Sequence, residues 1–205
     1  MHISEPIGGI LFDMDGVVVL QQLDFPAIKR EIFGDTHGFI LERMADLSSS
    51  ERARAEAILE RHETVAATAA EPMEGILPFL QWMNGLGLRR GLVTRNSRKS
   101  VEMVLRRLPL RFEAVVTRED APPKPAPEPV WLACRRMGIA PGEALFVGDF
   151  ELDMLAGRRA GVRTVLLRGP ALKTSQNANL IVDSFDELRE MLERSGVALP
   201  VKDGH

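Results

Sequence analysis

From Met73 onward, short apolar runs alternate with amphipathic stretches of helical period, and this alternation narrows the available folds more than any other feature of the chain. Strands are expected at Gly91–Thr94, Ala114–Thr117, Ala144–Val147, Thr164–Leu167 and Leu180–Val182. Helices are expected at Ile76–Leu86, ending near Gly87, and at Ser97–Arg107, Val130–Met137 and Leu152–Ala160. A last helix opens at Ser184-Phe-Asp-Glu187, which has capping-box spacing. Short strands separated by helices imply an α/β fold: a Rossmann-like parallel sheet with helices on both faces.

A further apolar run, Gly8–Phe12, supplies the first strand, and Gly16 closes it with a turn. Strand signals are then weak as far as Pro72. Asp24 can cap a helix with Pro26 in its first turn, running to Phe33 before Gly34. A second helix begins after Ser48-Ser-Ser50 and runs through Glu51–Glu60 towards Ala70. Residues 17–72 therefore read as an all-helical insert, and residues 1–16 with 73–205 as the α/β core. The loop Ala121–Pro129 is proline-rich, and a short tail is expected after Arg194.

Asp13 and Asp15 end the first strand, and with Met14 between them both point to one face of extended backbone. Two neighbouring carboxylates are costly unless a proton or cation resolves their repulsion. A divalent oxygen-seeking ion such as Mg²⁺ would do so, leaving one carboxylate free to act as nucleophile and the other as acid/base. Taken alone, the motif also fits a plain strand–turn boundary. In parallel sheets, however, ligands sit outside the carboxyl ends of the strands. Asp13 and Asp15 follow the first strand and Thr94-Arg95-Asn96 the second; Lys124 lies in the loop after the third, and Gly148-Asp149 follow the fourth. Four polar clusters on one sheet edge are hard to ascribe to coincidence.

The 205 residues suit one domain, or a core with a smaller insert, and 45% hydrophobic content supplies a real interior. A net charge of −3, with dispersed arginine pairs, argues against nucleic acid or an acidic membrane as partner. Cys134 is the one cysteine, which rules out an intrachain disulfide and fits a reducing compartment. Neither a secretory signal nor an apolar run of about 20 residues is visible, so a cytoplasmic location is expected. The oligomeric state stays open.

Asp13-Met-Asp-Gly16, Leu92-Val-Thr94, Lys124-Pro125 and Gly148-Asp-Phe-Glu-Leu-Asp153 resemble, in order, the four motifs of the haloacid dehalogenase superfamily. The phosphatase branch typified by phosphoglycolate phosphatases is the most similar, from Gly8 to about Leu167, and the helical insert looks like the cap domain of that branch. The resemblance implies a Mg²⁺-dependent phosphatase acting on a small phosphorylated metabolite. Asp13 would attack phosphorus to form an aspartyl-phosphate, and Asp15 would protonate the leaving alcohol and then activate water. Asp149, the Asp13 carboxylate and the Asp15 backbone carbonyl would hold the metal. Asp153 would ligate it directly or orient a metal-bound water, or serve only as a helix N-terminal acid. Thr94 would bind a phosphate oxygen, and Lys124 would neutralise charge on Asp13 and the phosphate. Arg95 and Asn96 sit where substrate contacts are common, although Asn96 could merely cap the following helix.

The acidic-serine element that often follows the first motif is replaced here by Val17–Gln22, and the insert is short for this branch. Both departures bear on the substrate, for which Lys29, Arg30, His37 and Arg43 are candidate contacts from the insert. The alternatives are a phosphomutase, a 2-haloacid dehalogenase, and a phosphate-ester binding protein without turnover. A dehalogenase would leave Asp15 without an acid role, in a chain that has no tyrosine.

Overall fold

The computed structural model describes residues 6–169 and 174–195, so the expected tail after Arg194 lies almost wholly outside the described residues. Strands β1 (Gly9–Phe12), β2 (Arg89–Val93), β3 (Ala114–Val116), β4 (Ala144–Gly148), β5 (Arg163–Leu167) and β6 (Leu180–Val182) form one sheet. Its order is β3-β2-β1-β4-β5-β6, and every neighbouring pair is parallel. The order reverses beside β1, so β1 and β4 flank the switch point where such sheets open a crevice.

Between β1 and β2 lie α1 (Phe25–Phe33), α2 (Ile40–Ala45), α3 (Ser49–Ala69) and α4 (Ile76–Leu86). The rest are α5 (Arg98–Arg107), α6 (Glu128–Met137), α7 (Glu151–Ala160) and α8 (Phe185–Arg194). Alternate residues of β1 face opposite layers, as strand geometry requires. Ile10 and Phe12 pack with Phe79 and Met83 of α4, Val101 of α5 and Phe185 of α8, whereas Leu11 packs with Val130 and Cys134 of α6 and Ala156 of α7. Helices thus cover both faces, and Cys134 is a buried apolar residue whose thiol burial pushes up to about 11.

The insert has its own small core of Leu23, Ile28, Ile40, Met44, Ala55 and Leu59. The Asp24 carboxylate caps α1 by accepting the Ala27 N–H at 2.9 Å, and Gly34 ends the helix in the left-handed region with φ +81°. Ser48 and Glu51 form the capping box of α3. Helix α2 has no counterpart in the sequence expectations. It is one and a half turns long, with Ile40 and Met44 holding it in that core. Val17, Val18 and Val19, which the sequence places at the start of the insert, pack instead in the main core. The Leu20 N–H donates to Glu71 O and the Met73 N–H to Val18 O, so the chain leaves and re-enters the core side by side. Strand β2 stops at Val93 and leaves Thr94 just beyond its end, while α6 starts at Glu128 rather than Val130.

Candidate active site

Extended pairing carries Asp13 past β1: its N–H donates to Val147 O at 2.9 Å, which sets its carboxylate at the crevice between β1 and β4. The Lys124 ammonium, only 2% exposed, donates to Asp13 Oδ1 at 2.6 Å and to the Val93 carbonyl at 3.0 Å. Its third partner is Asp153 Oδ1 at 2.6 Å, so all three of its donors are engaged. Burial alone would lower the Lys124 pKa, but the carboxylates of Asp13 and Asp153 outweigh it and hold the ammonium charged.

Asp15 lies three residues beyond the end of β1 and lines the same cavity as Asp13. Asn96 Nδ2 donates to Asp15 Oδ2 at 2.6 Å, and the Asn96 N–H in turn donates to Thr94 Oγ1 at 3.1 Å. Asn96 does not cap the following helix. Ser97 does, accepting the Ser100 N–H at 3.2 Å. Burial, then the nearby Asp13 charge, push the Asp15 carboxyl up to about 7, against the pull of the Asn96 bond. A carboxyl that titrates near neutrality can both give and take a proton there.

The turn after Asp15 needs glycine. Gly16 has φ +77°, and a Cβ at that position would lie 2.2 Å from Asp149 Oδ2. At the end of β4, a Cβ on Gly148 would lie 2.3 Å from Asp153 Cβ. These two glycines let the first turn and the start of α7 close on the same few ångströms. Asp153 is 1% exposed and uses its second oxygen to accept the Phe150 N–H at 3.1 Å. It is therefore a helix N-terminal acid and an ion-pair partner at once.

Ligand oxygens of Asp13, Asp149 and Asp153 lie within 4.8 Å of one another. Burial, then Asp13 and Asp153, push the Asp149 carboxyl up to about 8. Burial also raises Asp153, with Lys124 pulling against it. Four carboxyl groups thus share the site with one buried ammonium, which contacts two of them. The excess negative charge and the oxygen-only donor set fit an oxygen-seeking divalent cation.

Arg95 lines the cavity over the acids and is also engaged by the insert. Its guanidinium pairs with Glu42 of α2 at 2.9 and 2.6 Å and donates to the Lys124 carbonyl, tying insert to core. Of the insert residues considered as contacts, Lys29 lines the cavity over the acids, donating to Gly38 O at 3.3 Å. Arg43 is held by Asp35 and the His37 carbonyl with its guanidinium over the Phe33 ring, while Arg30 and His37 lie on the exposed surface. Glu151 is half-buried and accepts from Asn177 at 2.6 Å.

Sequence reasoning missed Glu63. This α3 acid is 2% exposed, accepts the Ser97 hydroxyl at 2.6 Å and pairs with Arg118 of the core. It sits among charged residues of a polar helix, so nothing in its spacing marked it as buried. The cavity above the acids measures about 420 Å³ and is lined on the insert side by Phe25, Phe39 and Leu41.

A family model described as haloacid dehalogenase-like hydrolase matches residues 10–167, a span that holds all four polar clusters. A hydrolase of Saccharomyces cerevisiae described as uncharacterized is 31% identical over 91% of this chain and 90% of its own. An N-acetylmuramic acid 6-phosphate phosphatase of Pseudomonas aeruginosa is also 31% identical, over 91% of this chain and 95% of its own. The crystal structure of a HAD-superfamily hydrolase, subfamily IA, variant 1, from Geobacter sulfurreducens superposes with a TM-score of 0.66 at 26% identity, covering 92% of this chain and 98% of that one. With a parallel six-stranded sheet, its acids gathered at the β1/β4 switch point and a family match over most of its length, the chain belongs to the haloacid dehalogenase-like hydrolases.

Proposed function

We propose that the protein is a Mg²⁺-dependent phosphatase that hydrolyses a small phosphomonoester through an aspartyl-phosphate on Asp13. The observation that carries this reading is the unequal setting of the two acids. Asp13 is ion-paired to Lys124, whereas Asp15, bonded to Asn96, is pushed up to about 7. Environments that separate paired carboxyls in this way divide the nucleophile's work from the acid's. Asp13, Asp149 and the Asp15 carbonyl would hold the ion, with Asp153 fixing the Lys124 side of the site. When bound, Mg²⁺ supplies charge neutralisation for the phosphate oxygens.

In the first step a carboxylate oxygen of Asp13 forms a bond to phosphorus while the bond to the leaving oxygen breaks, and Asp15 passes its proton to that oxygen. Lys124 offsets the charge that gathers on Asp13 and the transferring group, and the Thr94 hydroxyl and nearby N–H groups donate to phosphate oxygens. In the second step Asp15, now ionised, takes a proton from water as the water oxygen attacks phosphorus. Inorganic phosphate leaves and Asp13 is regenerated. One positioned acid or base supplies only about 10²–10⁴ in rate. Uncatalysed monoester hydrolysis is slow enough that enhancements reach about 10²¹, so nucleophile, acid, lysine and metal must act together. Helices α1–α3 serve in this reading as a cap domain over the leaving group, with Val17, Val18 and Val19 left to the core.

The test is p-nitrophenyl phosphate turnover. Activity is expected with Mg²⁺, and its loss on chelation and in Asp13→Asn. Undiminished turnover in that variant would overturn the reading.

A further inference from the structure

Among the large apolar side chains that stay exposed on the described surface are Phe25, Phe39 and Phe150, at 41%, 45% and 37%, and all three line the cavity above the acids. A single exposed phenylalanine is ordinary, but rings gathered around one cavity are not. Phe150 directly follows Asp149, and Phe39 packs edge-to-face on it with ring centroids 6.2 Å apart and planes at 82°. The Phe39 ring centroid also lies 5.9 Å from the Arg95 guanidinium carbon. The aromatic wall therefore begins beside the reacting centre and runs up to α1.

Most of the cations around the same space are already paired with acids. Arg95 is paired with Glu42, Lys124 with Asp13 and Asp153, and Arg118 with Glu63. Lys29 donates to Gly38 O, and the side-chain amide of Gln21 donates to Leu23 O. A substrate with a second phosphate or a carboxylate would have to take Arg95 or Lys124 from its carboxylate partner, or draw Lys29 from its 3.3 Å bond to the Gly38 carbonyl. An apolar ring has only to displace water from rings that are exposed without it. The volume also permits a ring, because a cavity of roughly 150 Å³ is enough for benzene.

We infer that, given the phosphatase reading on which this rests, the preferred substrate is the phosphate monoester of an uncharged alcohol carrying an aromatic ring. Phe25, Phe39 and Phe150 receive the ring, and no second anion is recognised. This departs from the substrate in the name of the Pseudomonas relative, which is an acid as well as a phosphate ester.

The comparison to make is kcat/KM for benzyl phosphate, 2-phosphoglycolate, glycerol 3-phosphate and N-acetylmuramic acid 6-phosphate, with Mg²⁺ and with Asp13→Asn as blank. Benzyl phosphate is the right probe because its leaving alcohol has a ring without an unusually acidic hydroxyl. It is expected to be preferred over each of the others by about tenfold or more, as several aromatic contacts allow. Phe39→Ala and, separately, Phe25→Ala are expected to cut the ratio of benzyl to glycerol phosphate turnover by roughly three- to tenfold each. Both side chains are exposed, so neither variant depends on refilling a core. Higher kcat/KM for either acid, or a ratio unmoved in both variants, overturns the inference while leaving the phosphatase reading in place. Turnover of all four esters no better than the Asp13→Asn blank overturns the inference, and with it the phosphatase reading if p-nitrophenyl phosphate is not turned over either.

Discussion

The side-chain amide of Asn96 donates to the Asp15 carboxylate at 2.6 Å, and the same residue is fixed from behind by Thr94 Oγ1. The bond favours the ionised form of Asp15 and so works against burial and Asp13, which hold that carboxyl near 7. The first step of the proposed mechanism uses the protonated form, so kcat/KM is expected to fall as pH rises above about 7. Removing the amide in Asn96→Ala takes stabilisation from the anion and raises the Asp15 pKa. The alkaline limb should then move to higher pH, by on the order of one unit for a lost bond to a charged group. A limb that stays in place or moves down would separate Asn96 from proton transfer.

The metal-free protein is expected to lose stability as pH rises. Asp15 and Asp149 have folded pKa values raised to about 7 and about 8, above the ordinary 3.8. Below that ordinary value both folded and unfolded chains are protonated and nothing is lost. Above it the unfolded chain ionises first, so the cost of folding grows until the pH passes the folded values. The Tm in chelator should therefore drop between about pH 5 and about pH 8.5. Mg²⁺ relieves the repulsion and should raise Tm more at the upper pH than at the lower. Thermal melts at the two pH values, with and without Mg²⁺, check both slopes.

Gly16 gives a sharper test of the geometry. In Gly16→Ala the added carbon meets Asp149 Oδ2 at 2.2 Å, and the φ of +77° stays strained whatever else moves. The backbone strain alone costs about 1–2 kcal/mol. Asp149 must also give way, so Mg²⁺ affinity measured by calorimetry should fall, and turnover with it. If the Gly16→Ala variant binds Mg²⁺ as the wild type does, Asp149 is not a ligand.

Much of this was legible in the sequence, and the illegible parts share a cause. The strands of the sheet follow from apolar runs, and the strand-end rule by itself brings Asp13, Asp15, Thr94, Lys124 and Asp149 to one edge. Helix α2 was not legible, because six residues are too few for a period and its helicity rests on the packing of Ile40 and Met44. Asn96 and Ser97 are both good capping residues, and only the backbone path decides that Ser97 caps while Asn96 turns to Asp15. Arg95 and Glu63 find their partners in Glu42 and Arg118, which are 53 and 55 residues distant. No local pattern encodes pairings of that range.

The Arg95–Glu42 pair bridges core and insert, and its consequences should be functional rather than structural. Its side chains are 21% and 42% exposed, a setting in which ion pairs typically contribute no more than about 1 kcal/mol. The Tm of Glu42→Gln should therefore change little. The same substitution frees a guanidinium that lies beside Phe39 and donates to the backbone carbonyl of Lys124. It also removes one of the links that hold α2 against the catalytic edge. KM should rise, with a smaller effect on kcat, because in the proposed mechanism the insert meets the leaving group and not the reacting atoms. Arg95→Lys should resemble Glu42→Gln, since an ammonium cannot reproduce the two-pronged contact. The double variant should be no worse than either single one if the pair acts as a unit. Additive losses in KM across that cycle would show that Arg95 meets the substrate directly, as its position after Thr94 first implied.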